Sequence, residues 1–325
     1  MWERKSFILL LQKTDRMKQK TCIGGGIYNF DIIVERDYPE GFIIGKRNKF
    51  SERILLEEVG GTCGNVMCML PYLGVQAFPI AHFDLSTEGL QMKEDLKRYG
   101  SDVRFVQNSE KGGTTLLRCV HKLDAEGKPT MTFRATSPGS RFPRRKHPRG
   151  RDEAPAFIEA LDFVPDVFFF DTAESGYRVI AQAFRAKGTL VYYEPEGSEP
   201  QPRFLQGVQV SDVIKFSGER ITDTSFCAEF TDKLFIQTLG AKGLRFNLCG
   251  HGWQEIPSFP NDKVVDWEGA GDWTTAVFIK ELCSRDILSV NRMTDDDIRL
   301  CLTEAQRVAS RSVGFMGSKG MIHAG

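Results

Sequence analysis

The sequence predicts an α/β domain in which a central, mostly parallel sheet is covered by helices on both faces. Short, mostly apolar runs recur in its second half, at Val167–Phe170, Thr189–Tyr193, Asp212–Phe216 and Leu234–Gln237. Strands without a polar face are the mark of a parallel sheet buried from both sides. Helix-length segments such as Tyr177–Ala186 separate these runs, as parallel neighbours require. Late in the chain, Val264-Val265 lead into the turn Gly269-Ala270-Gly271, which opens into an apolar run through Cys283 long enough for a buried helix.

Composition narrows the classes. The chain has 325 residues, enough for one large α/β domain. Lys+Arg and Asp+Glu are both 43, so net charge argues neither for nor against a nucleic-acid partner. No apolar run approaches the length needed to cross a membrane. The start through Phe7-Ile8-Leu9-Leu10-Leu11 is short for a signal peptide and has no small-x-small cleavage site behind it. Eight cysteines are scattered with no Cys-x-x-Cys pair. That pattern argues against structural zinc and for reduced thiols in a cytoplasmic protein.

In chain order, residues 1–16 carry no motif and read as an N-terminal extension, with one domain over 17–325. Cys22–Ile27 and Asn29–Val34 read as strands around a glycine turn. The turn does not meet Gly-x-Gly-x-x-Gly and no helix follows, which argues against a dinucleotide fold. Asn29 and Asp31 lie two apart, so two hydroxyl-binding side chains share one strand face. Phe42–Val59 reads as half-exposed strands. Gly60-Gly61-Thr62-Cys63-Gly64-Asn65 is a glycine turn entering a buried helix, with Asn65 in its first turn. Thr114–Val120 and Thr130–Phe133 flank Asp124-Ala125-Glu126-Gly127, a hairpin signal.

Residues 137–154 form a Pro-rich loop carrying Arg141, Arg144, Arg145, Lys146, Arg149 and Arg151, read as a solvated face. Asp171, Glu174, Glu194, Lys215, Ser217, Glu219, Thr238 and Gly240 gather at the carboxyl ends of the later strands. Ligands of open α/β sheets bind there. Thr294, followed by Asp295-Asp296-Asp297, caps a last helix that runs towards Val313.

The chemistry is concentrated at the late glycine turn. A helix starting there points free N–H groups and its positive dipole end into the loop, which makes an anion site. Asp272 would repel an anion unless it has a task, and taking a hydroxyl proton is such a task. The same donors are expected to hold Asp272 ionised.

Asp266-Trp267-Glu268-Gly269-Ala270-Gly271-Asp272 resembles the Asp-x-x-Gly-Ala-Gly-Asp signature of the ribokinase-like (PfkB) carbohydrate kinases. Gly60-Gly61-x-x-x-Asn65 resembles that family's first signature, Asn29-x-Asp31 its sugar-gripping pair, and Thr238-x-Gly240-x-x-Gly243 its nucleotide-lining segment. The matches run in family order from about residue 20 to the C-terminus. The resemblance implies a ribokinase-like fold with a small β-sheet lid from about 36–59 and 102–136.

It also implies ATP-dependent transfer of the γ-phosphoryl group to a hydroxyl of a sugar or sugar-like molecule, with Mg²⁺ and a monovalent cation as further cofactors. Asp272 is then the expected base, and the amides of Gly269, Ala270 and Gly271 stabilise the phosphoryl charge. Asn29, Asp31, Gly60, Gly61 and Asn65 hold the acceptor. Lys215, Ser217, Thr238, Gly240 and Gly243 line the nucleotide. Lid sheets of the family often pair, which leaves a homodimer through the lid open, although the sequence does not give the oligomeric state.

The sequence departs from the family in three places. Thr62 stands where ribokinases often carry Lys. Lys215–Arg220 stands where Asn-x-x-Glu is usual, with Ser217 at the Asn position, Arg220 at the Glu position and Glu219, the candidate metal contact, displaced by one. Trp267-Glu268 replaces small β-branched residues. A nucleoside kinase of the same fold and a sugar- or nucleotide-binding protein without turnover both remain open alternatives.

Overall fold

The computed structural model of the chain describes residues 19–37, 51–123, 129–136, 152–195 and 202–324. The expected extension over 1–16, the hairpin turn at 124–127 and the basic residues 141–151 lie outside them. The strands are β1 (Thr21–Gly25), β2 (Asn29–Asp37), β3 (Ser51–Gly60), β4 (Gln76–Phe83), β5 (Val106–Asn108), β6 (Leu116–Leu123) and β7 (Pro129–Thr136). They continue with β8 (Val167–Phe170), β9 (Leu190–Tyr193), β10 (Val213–Ser217), β11 (Leu234–Thr238), β12 (Leu244–Leu248) and β13 (Gln254–Ile256).

Nine strands make the central sheet in the order β13-β12-β11-β10-β9-β8-β1-β4-β5. Pairing is parallel from β5 across to β11 and antiparallel only where β12 and β13 extend one edge. Side chains alternate between the two faces, as the strand period demands. On β8, Phe169 enters the core shared with α1 (Thr62–Tyr72), α6 (Ala270–Arg285) and α7 (Asp295–Ser312). Phe168 and Phe170 enter the other core. There they meet Ala154 and Phe157 of α3 (Ala154–Glu159), Tyr177, Ile180 and Phe184 of α4 (Ser175–Ala186), and Phe204 and Val208 of α5 (Pro202–Val210). The expected layer order is present: helices, mostly parallel sheet, helices.

The second sheet has four strands in the order β3-β2-β6-β7. Its limits differ from the expectation of 36–59 and 102–136. β2 joins it from Asn29 onward, paired antiparallel to β3 and parallel to β6. β5 leaves it: after β4, helix α2 (Thr87–Arg98) crosses over and returns the chain parallel to β4, with Ala81 opposite Val106. A strand–helix–strand unit of this kind completes the large sheet. β3 is exposed at its start and buried from Glu58 to Gly60. Thr294 caps α7 in a reciprocal box with Asp297, as expected, but α7 is not the last helix. The chain turns at Gly317 and adds the short α8 (Gly320–His323). All eight thiols are free, and seven are buried. Among the described residues, no helix is long and apolar enough to cross a membrane.

The two sheets are joined at one buried carboxylate. Asp171, at the end of β8, accepts the Ile27 amide at 2.8 Å and the Cys63 amide at 2.9 Å. Its two oxygens thereby fix the β1–β2 turn, where the chain enters the small sheet, and the start of α1. Asp171→Ala is expected to strand both amides, at about 1–3 kcal/mol each. Urea unfolding of the variant checks this, and an unchanged midpoint would show that water replaces the carboxylate.

Candidate active site

The site lies where α1 and α6 begin, under the small sheet. Gly269 takes a left-handed conformation, φ 77°, and caps α6. A Cβ there would stand 2.4 Å from the Ser318 side chain, so the turn is glycine by close approach as well as by φ. Asp266 closes the turn from behind. It accepts the Glu268 amide at 2.9 Å on one oxygen and the Gly317 amide at 2.9 Å on the other. The Ala270 amide makes a 3.3 Å turn bond to the Trp267 carbonyl, so of the three expected donors it is partly used. The Gly271 and Asp272 amides sit in the first turn of α6, where no carbonyl four residues back lies within the helix.

Asp272 and Asn65 meet across 207 residues of sequence. The Asn65 amide nitrogen donates to Asp272 Oδ2 at 2.7 Å. Asn65 is held from its other side, where Oδ1 accepts from Lys319 Nζ at 2.7 Å and from Ser318 Oγ at 2.9 Å. Two donors on Oδ1 decide the orientation of the amide and aim its NH₂ at the carboxylate. Lys319 is fully buried and also pairs with Glu58 of β3 at 3.1 Å. Glu58 Oε2 in turn takes the Tyr99 hydroxyl and lies 3.2 Å from His323 Nε2. A continuous polar chain therefore runs from the small sheet through the C-terminus to Asp272.

On the other flank, Lys215 of β10 is buried and ion-paired to Glu194, and it donates to the Gly271 carbonyl at 3.1 Å. Thr275 donates to the second Glu194 oxygen at 2.6 Å. Lys215 thus sits beneath the glycine turn and links it to β10, whose last residue, Ser217, is in register with Thr238 of β11. Gly240 and Gly243 bracket the short turn that follows. Glu219 is exposed, and its carboxylate approaches Gly240.

Asn29 and Asp31 stand buried on β2. A Cβ at Gly60 would lie 1.6 Å from Asp31 Oδ2, so only glycine admits that carboxylate. Gly61, at φ 81°, caps α1.

Burial sets the electrostatics. It raises Asp272 to about 7, helped by Glu194 and opposed by Asn65, Lys215 and Lys319. The expectation of a firmly ionised Asp272 is therefore corrected: the helix start does not outweigh desolvation. Burial, then Asp266, lifts Glu268 to about 7. Against the upward push of burial, Lys319 and its neighbours pull Glu58 down to about 2.

Sequence reading missed Glu58, Ser318 and Lys319. Glu58 reads as a flank of a half-exposed strand, and Gly317-Ser318-Lys319-Gly320 lies beyond the last helix read from the sequence. The available signal was a lysine set among small residues, which matches no exposed helical pattern.

A family model described as pfkB family carbohydrate kinase matches residues 55–323. The chain belongs to the PfkB family of carbohydrate kinases. It is a phosphotransferase with an alcohol group as acceptor, in the sugar-kinase class. Solved structures agree in fold. Giardia lamblia ribokinase aligns with TM-score 0.70 at 16% identity over 93% of this chain and 96% of that one. Arabidopsis thaliana ribokinase complexed with ribose and ATP aligns with TM-score 0.63 at 18% identity, over 93% and 95%. Xylella fastidiosa fructokinase with bound ATP aligns with TM-score 0.66 at 16% identity, over 92% and 94%. No curated protein matches the chain.

The Glu58–Lys319 pair gives a stability test. Lys319→Met leaves Glu58 buried without its cation, a loss of about 3–5 kcal/mol. Glu58→Gln combined with Lys319→Met removes both charges and is expected to recover much of it. Denaturant midpoints of the wild type and both variants check the ordering.

Proposed function

We propose that this kinase moves the γ-phosphoryl group of ATP to a hydroxyl of a sugar or sugar-like acceptor bound between β2 and the starts of α1 and α6. The observation that carries this reading is the Asn65–Asp272 hydrogen bond at the first turn of α6. It occupies Oδ2 and leaves Oδ1 to take the acceptor's proton. ATP as donor is supported by the similar folds solved with ATP, the Arabidopsis ribokinase and the Xylella fructokinase.

In this reading, Asp272 accepts the hydroxyl proton as the oxygen attacks the γ-phosphorus. The first-turn amides of α6, Gly271 foremost, stabilise the phosphoryl oxygens. Lys215 keeps the Gly271 carbonyl turned into the protein and away from that charge. Asn29, Asp31, Gly60, Gly61 and Asn65 hold the acceptor. Ser217, Thr238, Gly240 and Gly243 line the nucleotide. The small sheet covers the site and excludes water, which competes for the phosphoryl group.

When bound with the nucleotide, Mg²⁺ would supply charge neutralisation on the phosphates. Glu219, exposed beside Gly240, offers a hard carboxylate oxygen to such an ion. We assign Glu219 to the ion's water shell.

The reading is tested on Asp272→Asn, which keeps the shape and removes the base. A positioned base contributes roughly 10²–10⁴-fold. Nucleotide consumption across a panel of sugars and nucleosides should find an acceptor, and kcat with it should fall by at least about a hundredfold in the variant. Nucleotide affinity should be unchanged or tighter, since a negative charge near the phosphates is gone. A variant that keeps most of its rate would remove Asp272 from the chemistry.

A further inference from the structure

We infer that the acceptor is an uncharged polyol, and that Glu268 makes the site reject sugar acids and sugar phosphates. The inference rests on the kinase reading above and narrows it. Three oxygens of this region are buried without a hydrogen-bond partner among the described residues: Asn29 Oδ1, Asp31 Oδ1 and Glu268 Oε2. Asn29 and Asp31 are 6% and 3% exposed, so bulk water does not serve them. Buried polar atoms left in this state are costly. Asn29 Oδ1 only accepts, and the two carboxyls accept when ionised and donate when protonated, so the ligand that satisfies all three brings hydroxyls, which do both. Asn29 and Asp31 are two residues apart on one strand face, about 6.6 Å by strand rise, so they span more than one hydroxyl.

Glu268 joins the set from the glycine turn. Its amide is fixed to Asp266 at 2.9 Å, and its Oε1 takes the Cys119 thiol of β6 at 3.7 Å. In the β2–β6 register Cys119 lies beside Ile33, and Leu117 beside Asp31. Cys119 and Asp31 therefore share the sheet face that Glu268 reaches. The charge that acts most strongly on Asp31 is Glu268, and the cation acting on both is Lys319. Lys319 is already committed to Glu58, Asn65 and Ser318. Burial, then Glu268, holds Asp31 well above the usual carboxylate range. The site thus already resists its own negative charge. Among the described residues, His121 Nε2 likewise faces a carboxylate, that of Asp266 at 3.5 Å. A carboxylate or phosphate on the acceptor would add a further negative charge beside these groups, whereas hydroxyls would fill the three orphaned oxygens.

The test compares kcat/KM of the full chain for matched acceptors: aldoses, ketoses and alditols against their aldonic-acid and sugar-phosphate counterparts. Wild type should prefer uncharged acceptors by roughly 100-fold or more. Glu268→Gln, near-isosteric and checked by its thermal midpoint, should narrow that gap by roughly tenfold, with KM for the acid falling and KM for the neutral acceptor rising. Acids or phosphates used within about threefold of their neutral counterparts would overturn the inference and leave the kinase reading standing. A gap that Glu268→Gln leaves unchanged would do the same for Glu268. If no acceptor of either kind is phosphorylated, the kinase reading fails and this inference falls with it.

Discussion

The structure depends on one buried line of polar contacts, Glu58 to Lys319 to Asn65 to Asp272. Each link would be expensive alone. A buried lysine is costly unless paired, and Glu58 pairs it at 3.1 Å. A buried amide can face either way, and Lys319 with Ser318 fixes it. Only then does a half-buried aspartate receive a directed hydrogen bond. Glu58 belongs to the small sheet, Lys319 to the C-terminal turn, and Asn65 and Asp272 to two helices that flank the sheet. The line therefore makes the geometry of the Asp272 carboxylate a property of the whole assembly, small sheet included.

Two aspartates support this line in the same manner. Asp171 spans the amides of Ile27 and Cys63, and Asp266 those of Glu268 and Gly317. Each carboxylate satisfies two turn amides that would otherwise be buried without partners. Asp171 sets where the small sheet leaves the large one. Asp266 sets how the glycine turn meets the C-terminal segment that carries Lys319. Rigid turns of this kind are what a phosphoryl-transfer site requires, because positioning and preset electrostatics supply most of its catalysis.

The fold was legible because its strands are buried on both faces. Val167–Phe170 admits no half-exposed reading, and a parallel sheet follows from it. Local glycine geometry was legible too, at Gly60-Gly61 and Gly269-Ala270-Gly271, because a turn into an apolar run is a local event. The assignment of 102–108 to the lid failed because β5 is three residues long and its partner, β4, lies across a helical crossover. Lys319 and Glu58 were invisible for a related reason. Their burial is paid for by each other, 261 residues apart in the chain, and charged residues separated so widely read as surface. The place of Asp272 at a helix start was legible, but its charge state was misjudged: the helix start is local and visible, whereas desolvation and Glu194 are tertiary.

In the proposed reaction Asp272, oriented by Asn65 and eased towards ionisation by Lys319, must lose its proton before transfer. The most direct measurement is the pH dependence of kcat at saturating substrates. Burial raises the carboxyl and the neighbouring amide and lysines lower it, to a net value of about 7. The rate should therefore rise with pH through about 7 and level off above it. With Glu58→Gln and Lys319→Met combined, a cation that favours the ionised form is gone, so the midpoint should move to higher pH. A rate already maximal at pH 5.5, or a midpoint unmoved in that variant, would contradict the account.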